Sequence, residues 1–374
     1  MSTFVDIHIL QTVPPSNLNR DDTGSPKTAT YGGVQRARVS SQAWKRATRQ
    51  DFARTLDTRE LGQRTKRVVE AIAEQIADLD ATLEPESLAL AEEVIAAAGI
   101  KVEKPKAKKG EEPEPAQSGY LLFLSRDQIR NLATLAIDAT RAGEKPDKKA
   151  AKRAADTGHS VDVALFGRMV ADAADLNVDA AAQVAHALSV HAVDTQYDYF
   201  TAVDDKAPED NTGAGMIGTV EFNSSTLYRY ATVNVDALAN TLGDTEATGR
   251  AVEAFLRSFS TSMPTGKQNT FANRTLPDAI VVQIRDTQPV NLVGAFEDAV
   301  EAHNGTPRLT VACARLTEHA QDVDRAYATT PVSAFVVRVG KSTAPLAELG
   351  TEIGLDALVS EIGTLVRDRV GEPA

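Results

Sequence analysis

Cysteine is almost missing from this sequence: Cys313 is the only one in 374 residues. That excludes an intramolecular disulfide framework and any four-cysteine zinc site. Long apolar runs are missing as well. Stretches such as Ala279-Ile280-Val281-Val282 are a few residues long, far short of the roughly 20 that cross a bilayer. The opening residues, Met1-Ser2-Thr3-Phe4-Val5-Asp6, have no basic stretch leading into an apolar one. No secretory signal is read there, and a cytoplasmic location with no membrane partner is expected. Catalytic signatures are equally scarce. The six histidines show no HExxH pattern, and His186 and His191, five apart, do not share a helix face. No GxSxG and no strand-following GxGxxG occurs. Gly266-Lys267-Gln268 has the end of a phosphate loop, but Thr261 stands where the first glycine belongs and glutamine follows the lysine, so the Walker signature is absent. Cys313 lies among small and apolar neighbours and reads as a buried, inert thiol.

What is present is the composition of a globular chain, 42% hydrophobic and 25% charged, long enough for two or three domain-sized units and a sizeable core. The formal net charge is −12, which by itself argues against a polyanionic partner. Its distribution argues the other way. Residues 1–50 carry seven cations (Arg20, Lys27, Arg36, Arg38, Lys45, Arg46, Arg49) and three acids (Asp6, Asp21, Asp22). Between Val34 and Arg49 there are five cations and no acid. An acidic body with one basic face suits a protein that binds a polyanion at one place; the plainer reading is a solvated helix face.

Along the chain, Val5, Ile7 and Ile9 alternate with Phe4, Asp6, His8 and Leu10, which predicts a strand with one buried face. Pro14 through Gly33 reads as loop, and Val34–Val39 as a short strand. Ser40 or Ser41 caps a helix expected to run through Leu56, with Trp44, Thr48, Phe52 and Leu56 as its packing ridge and Lys45, Arg46 and Arg49 beside it. Residues 59–180 turn helical. Within them, 12 of the 17 positions of 101–117 are Lys, Glu or Pro, too polar for a core, and a flexible insertion is expected. A helix is read over Tyr120–Arg141. Further on, strands are expected at Leu227–Val235, Ala279–Arg285 and Pro331–Val339. Helices are expected at Ala180–Ala192, Thr245–Thr261, Pro289–His303 and Glu352–Val370. One strand, a helical excursion and a return to alternating elements predict an α+β fold interrupted by a helical domain. The Gly- and Asp-rich stretch between Tyr199 and Phe222 reads as an extended hairpin.

Two constellations carry chemistry. Asp21-Asp22 could hold Mg²⁺ against a phosphate, or simply solvate a loop. The stronger one is cationic: Arg20, Lys27, Lys45, Arg46 and Arg49 can neutralise phosphates, with Ser40 and Gln42 donating at a helix N-terminus. Tyr199 and Phe200, followed by Thr201 and Val203, offer an aromatic pair for stacking on bases, and Phe166-Gly167-Arg168-Met169 an apolar tip with a cation. Each aromatic taken singly reads equally well as core.

The blocks Phe4–Leu10, Ser16–Asp22, Tyr31-Gly32-Gly33 and Arg38–Ala47 resemble the CasC family, the backbone subunits of the type I-E CRISPR surveillance complex, Cascade. The likeness continues at Val161–Met169, Ala185-His186-Ala187, Asp198–Asp205, Phe222–Tyr230, Pro264–Gln268 and Ala295-Phe296-Glu297. This resemblance implies an RRM-like (ferredoxin-like) palm in parts (1–58, 181–198 and 226–374), helical fingers (59–180) and a thumb β-hairpin (199–225). It implies a non-enzymatic scaffold without a cofactor, which self-associates into a filament, expected to be hexameric, along a CRISPR guide RNA. The guide is then presented in segments to target DNA, beside large, small, guide 5′-end and repeat-processing subunits and a recruited helicase-nuclease. The palm contacts resemble Asn19, Arg20, Lys27, Ser40, Gln42, Lys45 and Arg49, and the wedge residues Phe166, Met169, Tyr199, Phe200 and Val203. Arg46, Gly167, Arg168, Thr201, Lys267 and Gln268 complete the candidate RNA-binding set. No counterpart exists for 101–117. The rival reading is a Mg²⁺-dependent RNA-cleaving backbone subunit using Asp21 or Asp22.

Overall fold

In the computed structural model, which describes residues 2–105, 114–202, 216–302 and 305–371, the alternating N-terminal segment forms one long strand, β1 (Phe4–Ser16). One buried face was expected; both are buried. Val5, Ile7 and Ile9 are fully covered, and Asp6, His8 and Leu10 are at most 1% exposed. The polar residues of the second face have partners. Tyr230 Oη donates to Asp6 Oδ1 at 2.9 Å, and Arg285 Nε lies 3.2 Å from Asp6 Oδ2. His8 Nδ1 sits 2.9 Å from the Tyr228 hydroxyl. Burial pushes the His8 imidazole down to about 3, so it is neutral. The loop expected from Pro14 begins later, because β1 runs on to Ser16 through a register shift between Val13 and Ser16. Pro14 and Pro15 sit in that irregularity, where a missing N–H is tolerated.

Strands β2 (Thr28–Tyr31) and β3 (Val34–Val39) form a hairpin. Its two-residue turn needs left-handed backbone twice, and Gly32 (φ +60°) and Gly33 (φ +77°) supply it. Helix α1 (Ser41–Asp51) follows; it stops short of Leu56, giving way to a 3-10 turn at Phe52–Arg54. Trp44, Thr48 and Phe52 are buried, as the ridge requires.

The next stretch contains β4 (Gly62–Thr65), α2 (Val68–Leu79), α3 (Ser87–Ala97), β5 (Val102–Glu103), β6 (Gln117–Ser118), β7 (Leu122–Ser125), α4 (Arg126–Ala142), α5 (Lys148–Asp156) and α6 (Val161–Phe166). The helix read from Tyr120 begins at Arg126 instead. Leu122–Ser125 pairs with β4, and Ser125 closes a capping box with Gln128. The ends of the 101–117 segment pair as β5 and β6; its expected flexibility falls on 106–113, outside the described residues.

The remainder runs β8 (Ala182–Val184), β9 (Ala187–Ser189), β10 (Gln196–Ala202), β11 (Met216–Asn234), α7 (Val235–Leu242), α8 (Thr245–Thr261), α9 (Gln268–Phe271), β12 (Ala279–Arg285), α10 (Arg308–Tyr327), β13 (Ser333–Arg338), β14 (Thr351–Glu352) and α11 (Leu355–Gly371). Two expected helices are corrected. Ala180–Ala192 is strand, because β9 fits between β3 and β11 and pairing overrides alanine's helix propensity. Among its described residues Pro289–His303 holds a 3-10 turn, Leu292–Phe296, and no α-helix. Leu292, Phe296 and Val300, all buried, repeat every four residues and mimic a helix face.

Among the described residues the main sheet has the order β14-β13-β12-β1-β11-β9-β3-β2, with β8 and β10 also on β11. β13 and β14 pair in parallel, whereas β1 is antiparallel to both β11 and β12, so this is an α+β chain with a large mixed sheet. It forms two compact units. The first comprises Met1–Asp51, Gln183–Asn234 and Val252–Arg369; the second comprises Phe52–Ala182, Val235–Ala251 and Val370–Ala374. A core including Leu10, Tyr228, Phe296 and Leu316 belongs to the first, and one including Ile72, Val94, Leu132 and Ala151 to the second.

Candidate nucleic-acid interface

In the first unit the loop after β1 is built from its own polar side chains. Asn17 is buried, and its amide donates to the carbonyls of Gly24 (2.9 Å) and Glu221 (3.0 Å). Asp21 Oδ1 accepts from Thr23 N (2.9 Å), Thr23 Oγ1 (2.7 Å) and Ser25 N (3.0 Å). The Thr23 hydroxyl and the loop amides hold this carboxyl below its usual range. Asp21 thus staples the loop, while Asp22 is exposed. Among the described residues no three His, Cys, Asp or Glu side chains cluster closely enough to hold a metal ion.

This loop is tied to β3 and α1 by a short relay. Lys27 N donates to Asn19 O, Arg38 N to Lys27 O, and Ser40 N to Asn19 Oδ1, each at 2.9 Å. Asn19, Lys27 and Ser40, three of the sequence-predicted residues, are therefore fixed in one network. Ser40 Oγ also accepts from Ala43 N at 3.3 Å, capping a helix whose first turn carries no acid. Gln42 and Arg46 are exposed, and Lys45 and Arg49 are half-buried on one strip of α1. Desolvation lowers the Lys45 ammonium below its ordinary value. Behind the strip, Trp44 is fully buried, with the Arg229 guanidinium 3.7 Å from its ring centroid and 4.6 Å from that of Phe259. Burial brings Arg229 down to about 9. Nothing in the sequence marks Arg229 as the support of α1.

Lys267 and Gln268 join the same region through Gly266. A Cβ there would stand 2.3 Å from Leu18 O and 2.6 Å from Asn17 O, so only glycine lets the two loops lie this close. Phe271 at the end of α9 packs on Phe222 at 5.6 Å, next to the hairpin of β10 and β11. An open groove is lined by Asn19, Arg20, Asp22 and Gly266. Not every cation of the acid-free run is open to a ligand. Arg36 is fully buried, donating to the carbonyls of Tyr31, Ser189, Phe296 and Glu297.

In the hairpin, Tyr199 pairs with Thr219, Phe200 with Gly218 and Thr201 with Ile217. Successive residues of a strand point to opposite faces, so Tyr199 and Phe200 present their rings on opposite sides of the hairpin. Tyr197 and Tyr199 share a face and are 66% and 64% exposed. Phe200 lies across Gly218, where an added Cβ would meet its ring at 2.4 Å. Val203 lies outside the described residues.

In the second unit, the four-residue tip divides. Phe166 stacks on Phe52 at 5.9 Å. Gly167 takes φ +77°, with Val178 O 2.8 Å from where its Cβ would be. Met169 is 81% exposed. The expectation for Arg168 is corrected: it is 4% exposed and donates to Leu176 O (2.7 Å), Ala155 O (3.0 Å), Gln128 Oε1 (3.1 Å) and Asp156 Oδ1 (3.0 Å). A guanidinium so enclosed serves the unit's own core.

Comparison with curated proteins finds no match. Among solved structures, the chain is similar to one described as a CRISPR RNA-guided surveillance complex, pre-nicking, at 36% identity and TM-score 0.81, covering 96% of this chain and 100% of that one. A second, described as a CRISPR RNA-guided surveillance complex, matches at 32% identity and TM-score 0.72, covering 96% and 99%. The family described as CT1975-like protein matches residues 5–361, and the chain belongs to it.

Proposed function

We propose that this chain is a guide-RNA-binding backbone subunit of a CRISPR surveillance complex of type I-E, acting as a scaffold rather than an enzyme. The observation that carries the reading is the joining of Asn19, Lys27 and Ser40 into one rigid network beside Lys45 and Arg49, in a chain similar over 96% of its length to a subunit of an RNA-guided complex. The cations neutralise backbone phosphates without reading sequence, which suits a protein that must accept any guide. The first unit then serves as an RRM-like palm, the second as fingers, and the β10–β11 hairpin as a thumb whose exposed Tyr197 and Tyr199 meet the guide's bases. Copies self-associate along the guide in a cytoplasmic filament, hexameric in this reading, with the complex's other subunits at its ends and sides. Holding the guide in pre-ordered segments lowers the entropy lost when it pairs with DNA.

The rival, Mg²⁺-dependent RNA cleavage at Asp21 or Asp22, has less support: Asp21 Oδ1 already accepts three hydrogen bonds from its own loop. Protein purified from its own host and read at 260 and 280 nm tests the scaffold reading. Co-purifying RNA of discrete length is expected; nucleic-acid-free protein from cells that express the guide contradicts it. Incubation of the assembled complex with complementary RNA and Mg²⁺ tests the rival, and intact RNA is expected.

A further inference from the structure

Between the loop after β1, strand β3 and the point where β11 passes from pairing with β10 to pairing with β1 lies a narrow slot. Its lining includes Asn19, Lys27, Arg38, Asn223 and Ser225. Its free volume is about 20 Å³, room for a single oxygen-sized group rather than a base. Asn223 is 7% exposed, and its side-chain Nδ2 has no hydrogen-bond acceptor among the described residues. A buried amide donor left this way is destabilising unless something outside the chain accepts from it. Two cations and no acid line the slot, a lining that favours an anionic oxygen as the missing acceptor.

Arg38 is held for the same task. Its Nε donates to Thr28 O at 3.1 Å and its Nη1 to His186 Nδ1 at 3.2 Å. His186 therefore acts as acceptor and carries its proton on Nε2. Partial desolvation and the nearby charges of Arg38 and Lys27 lower its pKa, in keeping with that acceptor role. Arg38 is thus oriented from both sides, and its backbone belongs to the Asn19–Lys27–Ser40 relay.

We propose that this slot is a phosphate site: one non-bridging oxygen of the RNA backbone accepts from the Asn223 amide, with Lys27 and the His186-oriented Arg38 balancing its charge. The proposal rests on the RNA-binding reading above and adds Asn223 and Arg38 to the contacts that fix the strand's path. It joins the base of the hairpin to the cationic strip, so the same phosphate fixes where the strand meets the thumb.

The test compares Asn223→Ala, Asn223→Asp and Arg38→Gln with the unaltered chain, and with a Lys45→Ala/Arg49→Ala control. Single-stranded RNA and the deoxy oligomer of the same sequence are titrated, with thermal melts alongside. Asn223→Ala and Arg38→Gln are expected to weaken both oligomers about tenfold, and Asn223→Asp about a hundredfold, as for loss of a charge-assisted hydrogen bond. Melting temperatures are expected to stay close to the unaltered chain's; should the Asn223 variants fail to fold, Arg38→Gln decides. Affinities equal to the unaltered chain's, while the control is weakened, overturn the slot and leave the RNA reading standing; so does a lowered melt with unchanged affinity, which makes the occupant a structural water. A loss confined to the ribose oligomer overturns phosphate in favour of a 2′-hydroxyl. An unaltered chain that binds neither oligomer overturns the RNA reading itself.

Discussion

The side-chain oxygen of Asn19 accepts from the backbone nitrogen of Ser40 at 2.9 Å, across twenty-one residues of chain. That bond fastens the loop carrying Arg20 and Lys27 to the N-terminus of the helix carrying Lys45 and Arg49, so cations from two elements keep one fixed spacing.

Replacing Asn19 separates the bond from the charge. Asn19→Ala is expected to lower stability by about 1 kcal/mol and to weaken RNA binding. Asn19→Asp keeps the acceptor, so its melt should match the unaltered chain's, yet RNA binding should still fall because an anion now faces the phosphate path. Melts and isotherms on the pair check this; equal RNA binding by Asn19→Asp and the unaltered chain would contradict it.

In the hairpin, Tyr199→Ala is expected to leave the free chain's stability nearly unchanged, since the side chain is 64% exposed. The same change should cost RNA binding on the order of 1–3 kcal/mol if the ring stacks on a base. Phe200→Ala is expected to lose less RNA affinity, because its ring covers Gly218 on the opposite face. Equal losses from the two would restore the idea of one aromatic platform.

Arg168 should behave as a core residue. Arg168→Ala orphans the carbonyls of Leu176 and Ala155 and is expected to destabilise by on the order of 3 kcal/mol, with the salt dependence of RNA binding unaltered in whatever fraction stays folded. A stable variant with a flattened salt slope would return Arg168 to the RNA face.

Acid should destabilise the fold through two buried histidines. Burial lowers His8 to about 3 and His191 to about 4. The unfolded chain therefore binds protons the folded one does not, and stability falls as pH drops below about 6.5, by roughly 1.4 kcal/mol per unit for each histidine. Asp6, raised by burial, works in the opposite direction near its own pKa. Urea melts between pH 7 and 4.5 check the slope. His191→Gln is expected to flatten it, and an unchanged slope would remove His191 from the account.

The sequence discloses what depends on local period and caps. Val34–Val39, Ala279–Arg285 and Thr245–Thr261 emerge with those limits, because alternation, a continuous apolar run and helical spacing each act over a few residues. What it hides depends on remote partners. Arg36 and Arg38 stand two apart on the same face of β3, yet only Arg36 is enclosed, by carbonyls more than 150 residues away at Ser189, Phe296 and Glu297. Arg168 and Met169 are neighbours with opposite fates for the same reason. Helix α10 is not among the helices expected from sequence, although its buried residues Ala312, Leu316 and Ala320 recur every four positions; the helix-like spacing just before it obscures the signal. The opposed directions of Tyr199 and Phe200 were legible from strand geometry alone.

The measurement that bears most directly on the scaffold is the salt dependence of RNA affinity for the unaltered chain and for Lys45→Ala/Arg49→Ala. The account predicts a steep, sequence-independent fall in affinity with salt, and a slope flatter by roughly one unit for each lost phosphate contact in the double variant. Identical slopes for the two proteins would make α1 a solvated helix face and contradict the account.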